Sequence, residues 1–368
     1  MNWRGRLLIA VPYLWLLVFF LVPFGIVFKI SLSDIALAIP PYVPTLKDGF
    51  WTMLAGLDLE NYAFIGAGAV FAVFAAVVLA AFMFRIVYPR VRRALIPDAT
   101  YGVFDSAAVA LTALAVAIVN IAVIVGVLSV LFPALSTFVS IPDFLYFAAY
   151  LSSLKIAVIS TLLTLLIGYP IAYAMARSAE HWRPALLMLI ILPFWTSFLI
   201  RVYAWIGILS PEGYLYQLLA GVGLVSDPLA ILNTNIAVYI GIVYTYLPFM
   251  VLPIYATLEK MDDSLVEAAE DLGCTALTAF WLVTAPLSKP GVIAGCFLVF
   301  IPVLGEFVIP SLLGGSNTLM IGKVLWEEFF NNRDWPVASA VAVILLLILI
   351  VPIVLFQRNQ QRDREADG

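Results

Sequence analysis

Hydrophobic positions in this chain run in long blocks, and charged residues mark the gaps between them. No charged residue falls between Arg6 and Lys29, Glu60 and Arg85, Asp105 and Asp143, Asp227 and Glu259, or Asp334 and Arg358. Each block reaches the roughly 20 apolar residues that a bilayer-spanning helix needs. Three further blocks hold a single charge each: Ala148 to Ala176 with Lys155, Pro184 to Leu209 with Arg201, and Gly291 to Leu313 with Glu306. The pattern predicts helices near 7–29, 65–87, 105–132, 148–176, 185–209, 235–258, 291–313 and 337–356. The expected fold class is an all-α membrane protein, a polytopic helical bundle of about eight transmembrane helices. Arg4, Arg6 and Ala36-Leu37-Ala38 imitate the flanks of a secretory signal, but the apolar run from Leu7 to Phe28 is too long for one and is read as a retained helix.

Composition narrows the function classes. Of 368 residues, 64% are hydrophobic and 11% are charged, against about 25% charged in soluble domains. That excludes a soluble enzyme, a nucleic-acid-binding domain and a disordered chain. Cys274 and Cys296 are too few for a disulfide framework, and the lone His181 excludes most histidine-based metal sites. There is no Walker A pattern, no HExxH and no GxSxG, so the chain carries no sign of ATP hydrolysis or hydrolytic chemistry of its own. Orientation follows the basic residues. With the N-terminus inside, the inner segments hold Arg4, Arg6, Arg85, Arg90, Arg92, Arg93, Arg177, Arg183, Lys260, Lys289, Arg358, Arg362 and Arg364, which is 13 of 19. This bias predicts both termini on the cytoplasmic side.

The inner loop 259–290 is the most informative stretch. Ser264 with Glu267 three residues later has the form of a capping box, and Gly273 is placed to stop the short helix that follows in a left-handed turn. Thr275 is placed to cap a second short helix, Ala276 to Thr284, with Pro286 as its stop. The loop is thus expected to be a rigid helix-turn-helix.

Glu267, Ala268, Ala269, Gly273, Val283 and Pro286, at their spacing, resemble the EAA loop of ABC importer permeases, with Ala285 departing from the leucine of that pattern. The resemblance implies that this loop docks on a separate ATPase and transmits its motion. A stiff, capped helix passes on a displacement that a slack loop would absorb. Leu192 to Trp205, Tyr239 to Pro253, Gly305 to Pro310 and Phe329 to Pro336 are similar to putrescine/spermidine permeases in particular. Such relatives have a type I core of six helices. The resemblance therefore implies a first helix at 1–35, an inserted outer loop and two-helix hairpin at 36–140, a permease core at 141–356 and a cytoplasmic tail at 357–368. The hairpin, with its Ala69, Ala72, Ala76 and Ala80 face, is read as peripheral, with a docking or lipid site as the alternative.

The implied partners are an ATP-binding-cassette ATPase dimer, a second homologous permease subunit, a periplasmic polyamine-binding protein and membrane lipid. No cofactor belongs to this chain; ATP and magnesium are bound by the ATPase. The implied location is the bacterial inner membrane. The substrate expected is a polyamine, putrescine first. The alternatives are an iron complex or an inorganic anion carried by the same class of machine, and further off an ion-coupled secondary transporter.

Within the membrane blocks, Glu306 is the leading substrate-path candidate. Pro302, Glu306 and Pro310 share a face on a continuous helix, and prolines free backbone carbonyls. A carboxylate with free carbonyls suits an organic diammonium cation. The alternative is an internal ion pair with Arg201 or Lys155. Tyr239, Tyr246 and Trp205 are aromatic candidates for holding ammonium groups, or else interface anchors. Glu327 and Glu328 are placed in an outer loop, either facing a docking binding protein or as ordinary solvated loop charges.

Overall fold

The computed structural model describes residues 10, 12–45, 47, 49–66, 144–225 and 227–366. The expected helices at 65–87 and 105–132 lie outside these residues, apart from the first two positions of the former. Two compact units emerge, one formed by 1–147 with 328–368 and the other by 148–327.

In the first unit, helix α1 (Pro12–Ser31) packs along the C-terminal helix α13 (Trp335–Ala366). A two-residue antiparallel ladder, β1 (Asp34–Ile35) with β2 (Tyr42–Val43), follows α1. Lys29 donates to the Pro44 carbonyl and lies 4.4 Å over the Tyr42 ring, so its charge is met where the chain leaves α1. Two short helices, α2 (Phe50–Ala55) and α3 (Glu60–Phe64), return the chain. Asn61 ties α3 to α1 by donating to the Ser31 and Ser33 carbonyls. Phe329 stacks on Trp335 at 4.8 Å.

The second unit holds α4 (Phe144–Ala176), whose first turn belongs to the first unit, then α5 (Arg183–Ile191) and α6 (Phe198–Leu209). After these come α7 (Tyr214–Gly221), α8 (Asn235–Leu258), α9 (Ser264–Asp271) and α10 (Ala276–Leu304). The short helices α11 (Val308–Leu313) and α12 (Ile321–Trp326) complete it. Among the described residues four helices, α1, α4, α8 and α10, are long and apolar enough to cross a membrane, and a bent pair at 183–221 makes a fifth if it is one span.

The expected straight helix at 185–209 is broken. Pro193 cannot donate to the turn before it, so the chain tightens into a 3₁₀ turn at Leu192–Trp195 and then extends through Thr196 and Ser197. The Thr196 hydroxyl takes up the Pro193 carbonyl at 2.8 Å. The two arms bend by 89°. The expected helix at 291–313 is also broken, at Gly305–Phe307. The second short helix of the inner loop does not stop at Pro286. A wide π-helical turn at Phe280–Thr284 shifts the hydrogen-bond ladder just where proline removes a donor, and the helix runs on to Leu304.

Helix α8 is the hub. Val238, Ile242, Met250, Val251 and Ile254 along it are fully buried, and among the described residues its contact with α10 is the most extensive between two helices. Lipid tails are as apolar as these side chains, so close packing rather than water exclusion holds the pair. Gly291 and Gly295, one turn apart on α10, make the approach possible: a Cβ at Gly291 would stand 2.6 Å from the Pro253 carbonyl oxygen, and one at Gly295 3.1 Å from that of Met250. The half-helices that follow the two breaks, α6 and α11, pack on each other and on α8. Gly291→Leu is expected to lower the unfolding midpoint of the detergent-solubilised protein by the equivalent of about 1–3 kcal/mol, the usual cost of overpacking. Size-exclusion chromatography after a heating series checks it, and an unchanged midpoint would contradict this packing.

Candidate functional site

Glu306 occupies the break between α10 and α11, so it does not share a helical face with Pro302 and Pro310. The chain leaves α10 at Gly305, and α11 begins at Val308 with Phe307 as its N-cap. A helix start leaves its first amides without partners inside the helix. Here Glu306 Oε1 accepts from the amides of Phe307 at 3.1 Å, Val308 at 3.0 Å and Ile309 at 3.5 Å. The next residue, Pro310, has no amide to satisfy, and Ser311 starts the regular ladder by donating to the Phe307 carbonyl. Every donor of the first turn is accounted for by one carboxylate oxygen and one proline.

The other oxygen, Oε2, accepts from the Tyr246 hydroxyl at 2.5 Å. Tyr246 projects from the middle of α8, so this bond fastens the break to the hub. Glu306 is buried, the one charged residue so placed among the described residues. All four of its contacts are donors. Tyr246 also lies 6.0 Å from the Phe249 ring, which meets Phe194 edge-on at 5.3 Å. An aromatic wall thus continues from the carboxylate towards α5.

The alternative of an ion pair with Arg201 or Lys155 is not formed. Arg201 extends over the rings of Phe194 and Phe198, at 5.6 and 5.9 Å, with its Nε buried and unpaired. Lys155 lies on an exposed part of α4. Of the candidates read from sequence, the structure brings Tyr246 to Glu306. Trp205 meets Tyr244 edge-on at 5.4 Å instead, and Tyr239 is half-buried two turns away on α8. Phe194 and Phe249 were not foreseen; the only signal was the density of aromatics around Pro193 and Pro248. Glu328 is occupied within its own unit, accepting from Tyr146 and from Asn332 at 2.8 Å each.

The second candidate site is the loop between α8 and α10. Helix α9 carries Glu267, Ala268 and Ala269. The expected capping box does not form: Asp263 is the N-cap and makes no side-chain cap bond, and the Glu267 amide donates to the Asp263 carbonyl. Asp262 Oδ1 accepts from the Ser264 amide at 3.0 Å, and this bond holds its carboxyl below the usual aspartate range. Ser264 is thereby drawn into the first turn. At the other end the Gly273 amide donates to the Glu270 carbonyl and the Cys274 amide to that of Ala269, with Gly273 at φ +91°. This is a Schellman turn that an L-residue would strain. Thr275 caps α10 as expected, accepting from the Thr278 amide at 3.3 Å. Pro286 lies past the π-helical turn, inside α10. Leu272, Leu277 and Trp281 are largely exposed around this loop.

Helix α10 has 29 residues, so at 1.5 Å per residue the loop and the break are about 40 Å apart at its two ends. Among the described residues these sites contain no pairing of a nucleophile with a base. What they offer is a capped loop, a long helix and a buried carboxyl group at the far end.

Removing the carboxylate should cost more than removing its phenol partner. Glu306→Ala leaves three amides unpaired, whereas Tyr246→Phe leaves one carboxylate oxygen, at about 1–3 kcal/mol per unsatisfied group. Thermal unfolding of both purified variants checks the order, and equal midpoints would contradict the cap.

A family model described as the binding-protein-dependent transport system inner membrane component matches residues 168–364. The chain is 44% identical over 224 residues to the spermidine/putrescine transport system permease protein PotB of Haemophilus influenzae, covering 61% of this chain and 78% of that one. It is 43% identical over 224 residues to PotB of Escherichia coli, covering 61% and 82%. It is 30% identical over 210 residues to the molybdenum transport system permease protein ModB of Mycobacterium bovis, covering 56% and 76%.

Proposed function

Since the chain belongs to the family of binding-protein-dependent transport system inner membrane components, we propose that it is the transmembrane permease of an ATP-binding-cassette importer for a polyamine. The family is one of multi-pass inner-membrane permeases, not of enzymes. The observation that carries the substrate class is the 43–44% identity to permeases named for spermidine and putrescine. Putrescine is our first expectation and spermidine the second. Both termini are placed in the cytoplasm. A periplasmic binding protein delivers substrate, a homologous second permease completes the path, and an ATPase dimer docks below, one subunit on Glu267, Ala268, Ala269, Gly273 and Pro286. ATP and magnesium stay with that dimer.

The chemistry of the broken helix supports a cationic cargo. A buried carboxylate beside the Tyr246 and Phe249 rings attracts an ammonium group by charge and by ring quadrupole. We assign Glu306 and Tyr246 to the path, with Tyr239 and Trp205 further along it. An inorganic anion is the second reading, favoured by the 30% identity to a molybdenum permease and opposed by the sign of the Glu306 charge. The test is the complete importer in proteoliposomes, with ATP inside and labelled cargo outside. Putrescine or spermidine uptake is expected to require ATP, with no molybdate uptake. Molybdate uptake without polyamine uptake would overturn the assignment.

A further inference from the structure

The inner loop is tied to a helix that the chain does not connect to it. Covalently, loop 259–290 joins α8 and α10 only. Yet Phe280, in the π-helical turn of α10, presents its ring edge-on to two tyrosines of α4, Tyr169 at 5.7 Å and 89° and Tyr173 at 6.0 Å and 85°. These tyrosines are four residues apart, so they form one face of α4. Deeper in, the hydroxyls of Tyr169 and the buried Ser288 are hydrogen-bonded at 2.9 Å. At the open end, one residue past α4, Arg177 pairs with Asp263 at the start of α9, and its guanidinium lies 5.6 Å from the Tyr173 ring. Three kinds of contact, a hydrogen bond, an aromatic wedge and an ion pair, therefore line up along one edge of α4.

We propose that this row is a clasp that makes α4 move with the ATPase-facing loop, and that Phe280, Tyr169 and Tyr173 are positioning residues for coupling. The proposal rests on the reading of 259–290 as the ATPase-coupling loop. When that loop is displaced, α8 and α10 follow through the backbone. Helix α4 has no such link and follows only if side chains hold it. A ring wedged between two others resists displacement along the helix axis in both directions, because edge-to-face packing is directional. The Tyr169–Ser288 bond prevents rotation at the deep end, and the Arg177–Asp263 pair latches the open end. The exposed loop residues Leu272 and Leu277 are not part of the row, which separates holding α4 from meeting the ATPase.

The test uses the complete importer in lipid nanodiscs, with the putrescine-loaded binding protein as stimulus, and reads the ratio of stimulated to unstimulated ATP hydrolysis. Phe280→Ala is expected to retain the ATPase through purification and to lower that ratio about tenfold, a coupling loss within the usual range. Phe280→Tyr should recover most of it. Arg177→Asp and Asp263→Arg should each lower the ratio about twofold, and the double variant should restore it. A wild-type ratio in an assembled Phe280→Ala complex would overturn the clasp. Should that variant fail to assemble, the charge exchange decides: a double variant no better than the singles overturns it. Gly273→Asp separates the two readings. If it stays fully stimulated, the loop reading fails and the clasp with it. If it is uncoupled while Phe280→Ala is not, the clasp alone fails.

Discussion

The bond set around Glu306 is the constraint on which the second unit depends. A helix that breaks within apolar surroundings frees amides that no water can meet, and each has to find a partner inside the protein. One carboxylate oxygen takes the three amides of the α11 start, and the other takes the Tyr246 hydroxyl. The break thereby becomes a fixed corner instead of a loose joint. Gly322 of α12 closes the other side of that corner, since a Cβ there would stand 2.3 Å from the Gly305 carbonyl oxygen. Helix α11 can then pack its Ile309 and Leu313 against Gly241 of α8.

Under the proposed function the same carboxylate also serves the substrate path. Its charge is offset by amide dipoles and one phenol, none of which carries a full positive charge. In that reading an approaching ammonium group meets a carboxylate whose contacts include no cationic partner. An internal lysine or arginine partner would have cancelled that attraction. Arg201 stands apart from Glu306, held over the Phe194 and Phe198 rings instead.

Much of this was legible in the sequence, and the limits follow from what local pattern can report. Helix α8 was legible to the residue because charges bound it and Thr234 caps it. In the inner loop, Gly273 and Thr275 act through neighbours within a few residues, so spacing alone identified them. Ser264 lies inside the first turn instead of at the cap because the helix starts one residue earlier, after Asp263, and three consecutive polar residues, Asp262, Asp263 and Ser264, leave the start unranked in sequence. The breaks at Thr196–Ser197 and Gly305–Phe307 were missed because a long apolar block looks the same whether it is straight or bent. The Glu306–Tyr246 bond joins residues 60 apart, and nothing between them announces it. Both residues were singled out, one as a lone charge and the other as an aromatic, but their union is a product of helix packing.

Charge and cap are separable at Glu306, and separating them tests the account most directly. Glu306→Gln keeps a carbonyl oxygen for the three amides and removes the charge. The measurement is putrescine uptake by the fully assembled importer carrying this variant, normalised to complex recovered. The account predicts a complex that assembles but takes up putrescine about tenfold more slowly, since a unit-charge contact at 4 Å is worth about 4 kcal/mol at an effective dielectric near 20 and desolvation offsets part of it. Uptake at the wild-type rate would contradict it and leave Glu306 as a helix cap alone.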